Sequence, residues 1–271
     1  MTKLDLLIKK QMKIKKWFFA LNSDSNAIEE YQQYIKCAVN SALIHTTLEP
    51  HCLYDDIKGD VEIIKWLENK NINIHRLSSR FVKEMENKMS SDVLAIAKGT
   101  WLRLEIPELV KNKYEDEYVL YTDCDVLFLD EFEFDGKCKF FAAAPEANIS
   151  DTNWFNAGVM VMNINNLYET VNKFADWILS YGIDKHIAFD QGAYNKFYKN
   201  KWDRLPPKFN WKPYWGINDK AKILHFHGVK INHIENIFKG KDQYFPPILQ
   251  DLYKRNPKAY KYYHNLNKKY Y

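Results

Sequence analysis

Two aspartates separated by one residue, Asp123 and Asp125, interrupt an apolar, β-prone run in "EYVLYTDCDVLFLDEF", Glu117 to Phe132. Two like charges at the end of a strand that reads as buried require a cation, a proton or abundant water beside them. Paired carboxylates are hard oxygen ligands, so Mn2+ or Mg2+ held against a diphosphate is one chemistry that meets the requirement. A metal bound this way should recruit a further ligand from elsewhere in the chain and a cation for the phosphates. The segment "HFHGVK" can supply both. His225 ends an apolar strand, Gly228 admits a close backbone approach, and Lys230 is a point charge suited to phosphate. By itself a histidine on an apolar strand is more often a satisfied core residue; the D-x-D pair gives it weight.

Two other readings of the aspartates compete. In the plainer one, both cap the following turn and face water. In the other, Asp123 is a nucleophile and Asp125 a general acid, as in haloacid-dehalogenase-type phosphatases. Position argues against the phosphatase. Its motif normally closes the first strand, whereas a long α/β stretch precedes Asp123, and Leu127 stands where that family wants Thr or Val.

The elements that must position these residues alternate. "KWFFALN" (Lys16–Asn22) is the first expected strand, followed by "SDSN" as loop and cap. Ile28, Tyr31, Ile35, Ala38 and Ala42 recur at helical spacing over Ala27 to His45, with Asn26 and Glu29 placed like a capping box. "EPHCLY" and "NINIH" read as the second and third strands, separated by a helix through Trp66 and Leu67 that Asp60 would cap. Ser91 to Leu104 reads as a helix, and Tyr118 to Thr122 as the strand that runs into the aspartates. This β-α-β-α-β order predicts an α/β fold with a mostly parallel, doubly wound sheet. In such sheets ligands sit at the carboxyl ends of strands, where the D-x-D falls. Downstream, "FFAAAPE" (Phe140–Glu146), "WFNAGVMVMNI" (Trp154–Ile164) and "KILHFHGVK" (Lys222–Lys230) read as strands. Helices are expected at Leu167–Ser180 and Asp190–Tyr198, and "LPPKFNWKPYWG" (Leu205–Gly216) is an aromatic, proline-rich loop.

With 271 residues, 46% of them hydrophobic, the chain can bury a full core without staples. The expected organisation is one domain over residues 1–250 and a basic, Tyr-rich tail over 251–271. A net charge of +4 is too mild to imply nucleic acid. Cys37, Cys52, Cys124 and Cys138 show neither CxxC pairing nor metal-ligand spacing, the pattern of reduced thiols in a cytosolic protein. Lysines interrupt the N-terminal "MTKLDLLIKKQMKIKKW", and no apolar run is long enough to span a bilayer, so a soluble, cytoplasmic protein is expected. The tail "YKRNPKAYKYYHNLNKKYY" (Tyr253–Tyr271) has few aliphatics. It reads either as a solvated extension or as a peripheral membrane patch, with cations for headgroups and tyrosines for the boundary.

Five segments in register carry a family resemblance: "GTWLRLEIPEL" (Gly99–Leu109), "YVLYTDCDVLFL", "FNAGVMVMNI", "DQGAYN" and "HFHGVK". In that order they resemble GT-A fold nucleotide-sugar glycosyltransferases, most closely family 8, the group of glycogenin and bacterial galactosyltransferases. The resemblance runs from about Lys16 to Lys230 and implies a Rossmann-like GT-A domain, its mostly parallel central sheet flanked by helices. It also implies metal-dependent transfer of a hexosyl or pentosyl group from a UDP-sugar donor to a glycan, glycolipid or sugar acceptor, with retained anomeric configuration. Asp123, Asp125 and His225 would hold Mn2+ (or Mg2+), with Asp123 also near the ribose. Leu21, Asn22 and Asp24 of the first loop would cradle uracil and ribose. Cys124 would lie alongside, although strand alternation turns its side chain toward packing.

Carried over in the same way, Arg103 would reach the donor sugar or phosphate, and Asn156, Ala157 and Gly158 would line the sugar. Gly228 and Lys230 would serve the diphosphate. Asp190 would bind donor hydroxyls, and Gln191 would lie beneath the anomeric carbon. The family's H-x-x-G-x-x-K spacing is one residue shorter here, which makes His227 a rival ligand. The first loop also lacks the family's Asp-x-x-Tyr pattern. Apart from the resemblance, Asn156 reads as a strand-entry turn and Asp190 as a helix N-cap. The aromatic loop Phe209–Trp215 and the tail are candidates for the acceptor side. A non-catalytic nucleotide-sugar or carbohydrate-binding module of the same fold is the non-enzyme alternative.

Overall fold

A computed structural model describes residues 14–23, 28–55, 61–186, 188–241 and 245–271. Its strands are β1 (Lys16–Asn22), β2 (Glu49–Asp55), β3 (Asn73–Arg76), β4 (Tyr118–Thr122), β5 (Val126–Phe128), β6 (Phe141–Pro145), β7 (Phe155–Asn163), β8 (Asp203–Arg204) and β9 (Ile223–His225). Seven of them form one sheet in the order β3-β2-β1-β4-β7-β6-β8. β1 to β4 are mutually parallel, and β7 runs antiparallel to both of its neighbours. The chain winds outward from β1 to β3 and then returns to β4 on the other side of β1. The carboxyl ends of β1 and β4 therefore flank a switch point, the place where an open α/β sheet leaves a crevice.

Alternation along β1 sorts its side chains to two layers. Trp17, Phe19 and Leu21 pack with Ile35 and Val39 of α1 (Ile28–His45) and with Ile63, Ile64 and Leu67 of α2 (Glu62–Asn69). Phe18 turns to the opposite layer, with Met85 of α3 (Val82–Lys88), Trp101 of α4 (Ser91–Trp101), Val110 of α5 (Ile106–Lys113), Phe174 of α6 (Ile164–Tyr181) and Tyr194 of α7 (Phe189–Phe197). β4 and β7 are buried at every residue, which is why both read as unbroken apolar runs rather than alternating ones. Trp17 Nε1 donates to Thr122 Oγ1 at 2.8 Å, which satisfies a buried indole and ties β1 to the last residue of β4.

Several expectations change in detail. The helix expected to reach Leu104 ends at Trp101, and Leu102–Glu105 tightens into a 3-10 turn that carries Arg103. α3 and α5 were not expected from the sequence pattern. The capping roles of Asn26 and Asp60 fall outside the described residues, and Val61 is the residue at the N-cap of α2. β5 pairs with β9 in a separate two-stranded sheet, and β9 stops at His225, well short of Lys230.

The tail is the largest correction. α9 (Pro247–Arg255) and α10 (Pro257–Asn267) fold back over the small sheet, together with α8 (Ile231–Phe238). Tyr260, Tyr263 and Tyr270 are buried there with Leu127, Leu224 and Phe226. Tyr270 also reaches α1, its hydroxyl 2.7 Å from His45 Nε2. The segment is poor in aliphatics, but each tyrosine ring brings its own large apolar area. These tyrosines are committed to the interior, so neither a solvated tail nor a tyrosine-lined membrane boundary describes them. Among the described residues no helix is long and apolar enough to cross a membrane.

Candidate active site

The metal corner is assembled by strand register. β5 begins one residue after Asp125 and pairs antiparallel with β9, Val126 opposite His225, which draws His225 against Asp125. One ligand atom from each of Asp123, Asp125 and His225 lies within 4.8 Å of the others, and among the described residues no other such cluster of His, Cys, Asp or Glu occurs. His225 Nε2 stands 3.4 Å from Asp125 Oδ1 and 4.0 Å from Asp123 Oδ2. Gly158 leaves the room they need, because a Cβ there would come within 2.8 Å of Asp123 Oδ2 and would overlap the His225 ring. Two carboxylates and one imidazole are a donor set suited to Mn2+ or Mg2+.

Lys230 pairs with Asp125 Oδ2 at the edge of this corner. Burial pushes the Asp125 carboxyl up, and Lys230, the largest opposing influence, draws it well below the usual carboxylate range. Burial likewise lowers the Lys230 ammonium, and Asp125 more than restores it, so its pKa is raised. Both charges are fixed by each other. His227, the rival ligand, is turned away: its Nε2 lies 3.2 Å from Glu146 Oε1 and its Nδ1 lies 3.0 Å from the Tyr214 hydroxyl. With the strand ended at His225, the two histidines no longer share a face.

The second corner, around Asn156 and Gln191, is built at a bulge. Along β6 and β7 the pairing runs Ala143 opposite Met160 and then jumps to Ala144 opposite Asn156, so Ala157 to Val159 fall out of register with β6. Bulges of this kind release backbone groups next to sites. Here Ala157 N–H donates to Gln191 Oε1 at 2.9 Å, Ala157 C=O accepts from Arg103 Nη1, and Gly158 C=O accepts from Asp123 N–H at 2.9 Å. Asn156 is no mere strand-entry turn. Its Oδ1 accepts from Gly158 N–H at 3.2 Å and its Nδ2 donates to Gln191 Oε1 at 3.0 Å.

Arg103 is buried between two carboxylates. Nη2 donates to Asp123 Oδ1 at 2.9 Å, and Nε lies 2.5 Å from Asp190 Oδ2, an ion pair whose N–H is not aimed at the oxygen. Its guanidinium also sits 4.2 Å above the Tyr121 ring, and the Tyr121 hydroxyl donates to Asp123 Oδ1 at 3.2 Å. Burial pushes the Asp190 carboxyl up to about 7, against the pull of Arg103 and with Asp123 adding to the rise. Asp190 and Gln191 occupy the first turn of α7, entered through Ala188 and Phe189 at positive φ. The N-cap itself is Ala188, so Asp190 is free of the capping role.

An open cleft borders the corner of Asp123 and Asp125. Leu21, Asn22, Tyr31, Asp123, Cys124, Asp125 and Lys230 line it, with Ala95 to Thr100 of α4 opposite. Asn22 Nδ2 donates to Ala95 C=O at 2.8 Å, and Gly99 keeps the helix close, since a Cβ there would meet that nitrogen at 2.8 Å. Cys124 has two faces: it borders the cleft, yet its thiol donates to Ala20 C=O at 3.2 Å and burial pushes its pKa far up, so it supplies no thiolate. Gly228, at φ +76°, spends its freedom on the turn and on α9, where a Cβ would strike Leu252 at 2.6 Å. Asp24 lies outside the described residues. Tyr121, Glu146 and Asn210 belong to the site and were not singled out from sequence. Only Tyr121 carried a signal, since it shares a strand face with Asp123 two residues on.

Residues 25–231, more than half of the chain, match the family model for glycosyl transferase family 8. The chain belongs to glycosyltransferase family 8. This sets aside the phosphatase reading of Asp123. A curated relative of this family 8 chain, the glycosyltransferase GlyB of Streptococcus pneumoniae, is 25% identical over 223 residues, which cover 76% of this chain and 50% of GlyB. The chain thus spans half the length of that relative. Among solved structures, apo GlyE of Streptococcus pneumoniae aligns at TM-score 0.60 and 17% identity, over 95% of this chain and 64% of GlyE. The galactosyltransferase LgtC, crystallised with donor and acceptor sugar analogs, aligns at TM-score 0.58 and 19% identity, over 88% of this chain and 94% of LgtC. These likenesses establish the GT-A fold.

Proposed function

We propose that this family 8 member is a metal-dependent, retaining glycosyltransferase that moves a hexosyl or pentosyl group from a UDP-sugar to a glycan, glycolipid or sugar acceptor. The observation that carries the reading is the convergence of Asp123, Asp125 and His225 beside a cleft that Leu21 and Asn22 also border. The likeness to LgtC supports it. Asp123, Asp125 and His225 would hold Mn2+ (or Mg2+), which when bound neutralises charge developing on the departing diphosphate. Lys230, at the edge of the same cleft, brings a second positive charge to those phosphates.

Arg103 holds Asp190 toward the donor hydroxyls while it shares its charge with Asp123. Gln191 supports retention by front-face attack rather than through a covalent intermediate. Its Oε1 already accepts from Ala157 N–H and Asn156 Nδ2, and an amide oxygen so engaged is a poor nucleophile. In front-face attack the anomeric carbon–phosphate oxygen bond breaks as the acceptor oxygen bonds to the same carbon. The acceptor's proton passes to the leaving phosphate oxygen. The acceptor side adjoins Gln191 at the rim where Glu146 and His227 pair. Most rings of the Phe209–Trp215 loop serve packing instead; Phe209 and Tyr214 are buried, and Trp211 and Trp215 donate their indole N–H groups to Gly216 and Ala147 carbonyls.

A thermal-shift screen of nucleotide sugars with Mn2+ tests the reading. One UDP-sugar should raise the melting temperature, the shift growing with the logarithm of its concentration above its Kd, and the same sugar should be slowly hydrolysed. No shift from any nucleotide sugar, or a shift indifferent to chelator, contradicts it.

A further inference from the structure

A chain of buried amides joins the two corners of the site. Gln191 Nε2 donates to Glu146 Oε1 at 2.9 Å, Asn156 Nδ2 to Gln191 Oε1 at 3.0 Å, and Asn210 Nδ2 to Asn156 Oδ1 at 2.9 Å. Asn210 Oδ1 then lies 3.1 Å from His225 Nδ1. Asn156, Asn210 and His225 are all at most 2% exposed.

A single side-chain amide is ambiguous, because its oxygen and nitrogen are interchangeable in shape. The chain as a whole is not, because groups with one possible role fix it at three points. Ala157 N–H can only donate, so the Gln191 atom it meets is the carbonyl oxygen. Gly158 N–H can only donate, so Asn156 turns its oxygen to that side, in agreement. Glu146, its carboxyl held below the usual range by His227 and Gln191 despite burial, can only accept, so the Gln191 amino group faces it. Polarity then propagates. Asn156 Oδ1 takes the amino group of Asn210, and Asn210 can offer His225 nothing but its oxygen.

We propose that Asn210 is a positioning residue that fixes the tautomer of His225. Accepting the Nδ1–H holds the proton on Nδ1 and leaves the Nε2 lone pair aimed at the aspartates, 3.4 Å from Asp125 Oδ1. A lone pair facing two carboxylates has no cohesion of its own and gains it from a cation between them. The role rests on the metal site proposed above. Backbone pairing puts Asn210 in reach. Trp211 bridges Leu224, with Trp211 N–H donating to Ile223 C=O at 2.9 Å and His225 N–H donating to Trp211 C=O at 2.7 Å, so the residue before Trp211 lies beside the His225 ring. Neither leucine nor alanine at 210 could accept the Nδ1–H, and the Asn156 oxygen would keep only the Gly158 N–H of its two donors. Outer-shell acceptors of this kind typically carry a ten- to hundredfold share of metal affinity.

Long-range 1H–15N correlation spectra of the metal-free protein in alkaline buffer read the tautomer directly. Wild type should carry the His225 proton on Nδ1, and Asn210→Ala should shift toward Nε2–H. By calorimetry, Asn210→Ala should bind Mn2+ about 10–100-fold more weakly. Asn210→Asp, still an acceptor for Nδ1–H, should recover much of the loss, which a merely structural defect would not allow. A wild-type proton on Nε2, or Mn2+ affinity unchanged in Asn210→Ala, overturns the proposal, and the wild-type spectrum needs no variant to fold. The Nδ1–H tautomer lost in Asn210→Ala, with no Mn2+ bound by either protein, upholds the Asn210–His225 assignment and contradicts the metal reading instead.

Discussion

Two buried aspartates, Asp125 beside Lys230 and Asp190 beside Arg103, respond to their cations in opposite ways. Asp125 meets Lys230 and stays anionic despite burial. Asp190 has Arg103 as its cation, shares it with Asp123, and is pushed up to about 7 because burial outweighs the divided charge. The difference teaches that one guanidinium between two carboxylates does not secure both. The corner of Asp123, Asp125 and His225 holds a permanent anion, whereas the corner of Arg103 and Gln191 holds a carboxyl on the edge of protonation.

The sharpest way to break this contrast is to remove the shared cation. Arg103→Met leaves Asp123 and Asp190 together without it, and stripping one partner from a buried charged group costs about 3–5 kcal/mol. Urea unfolding should show a loss of that size, with partial recovery on adding Asp190→Asn. A loss below about 1 kcal/mol would mean that Arg103 behaves like an exposed ion pair.

A smaller effect separates the two aspartates by pH. The folded pKa of Asp190 stands above its unfolded value, so between about pH 4 and 7 the folded chain keeps a proton that the unfolded chain releases. Its contribution is full below that window and is lost as pH rises through about 7. Asp125 has the reverse sign: its folded pKa is depressed, so its contribution is present above the ordinary carboxylate range and is lost on acidification. Relative to Asp190→Asn, wild type should lose up to about 1.4 kcal/mol per pH unit across the window. Parallel stability curves for the two proteins would remove the distinction.

Much of this site was legible because charges interrupt apolar runs. β4 reads as buried until Asp123, and β7 reads as buried from Asn156 onward, so both site-bearing ends stood out. The choice between His225 and His227 was not legible. In an extended strand residues two apart share a face, and only the end of β9 at His225 sends His227 to Glu146. Asn210 left no local signal at all, because its role depends on the bridge from Trp211 to Leu224 and on two amides distant in sequence. The C-terminal helices carry little sequence signal because tyrosines, not aliphatics, supply their buried faces.

Titration calorimetry of UDP against wild type and Asp125→Asn, each with Mn2+ and with chelator, is the most direct test of the metal corner. Wild type should bind UDP in Mn2+ and lose most of that affinity in chelator. Asp125→Asn, having lost a ligand itself, should fall by more than the roughly 10–100-fold that an outer-shell contact is worth. Equal UDP affinity in Mn2+ and chelator, or an unaltered Asp125→Asn protein, would contradict it.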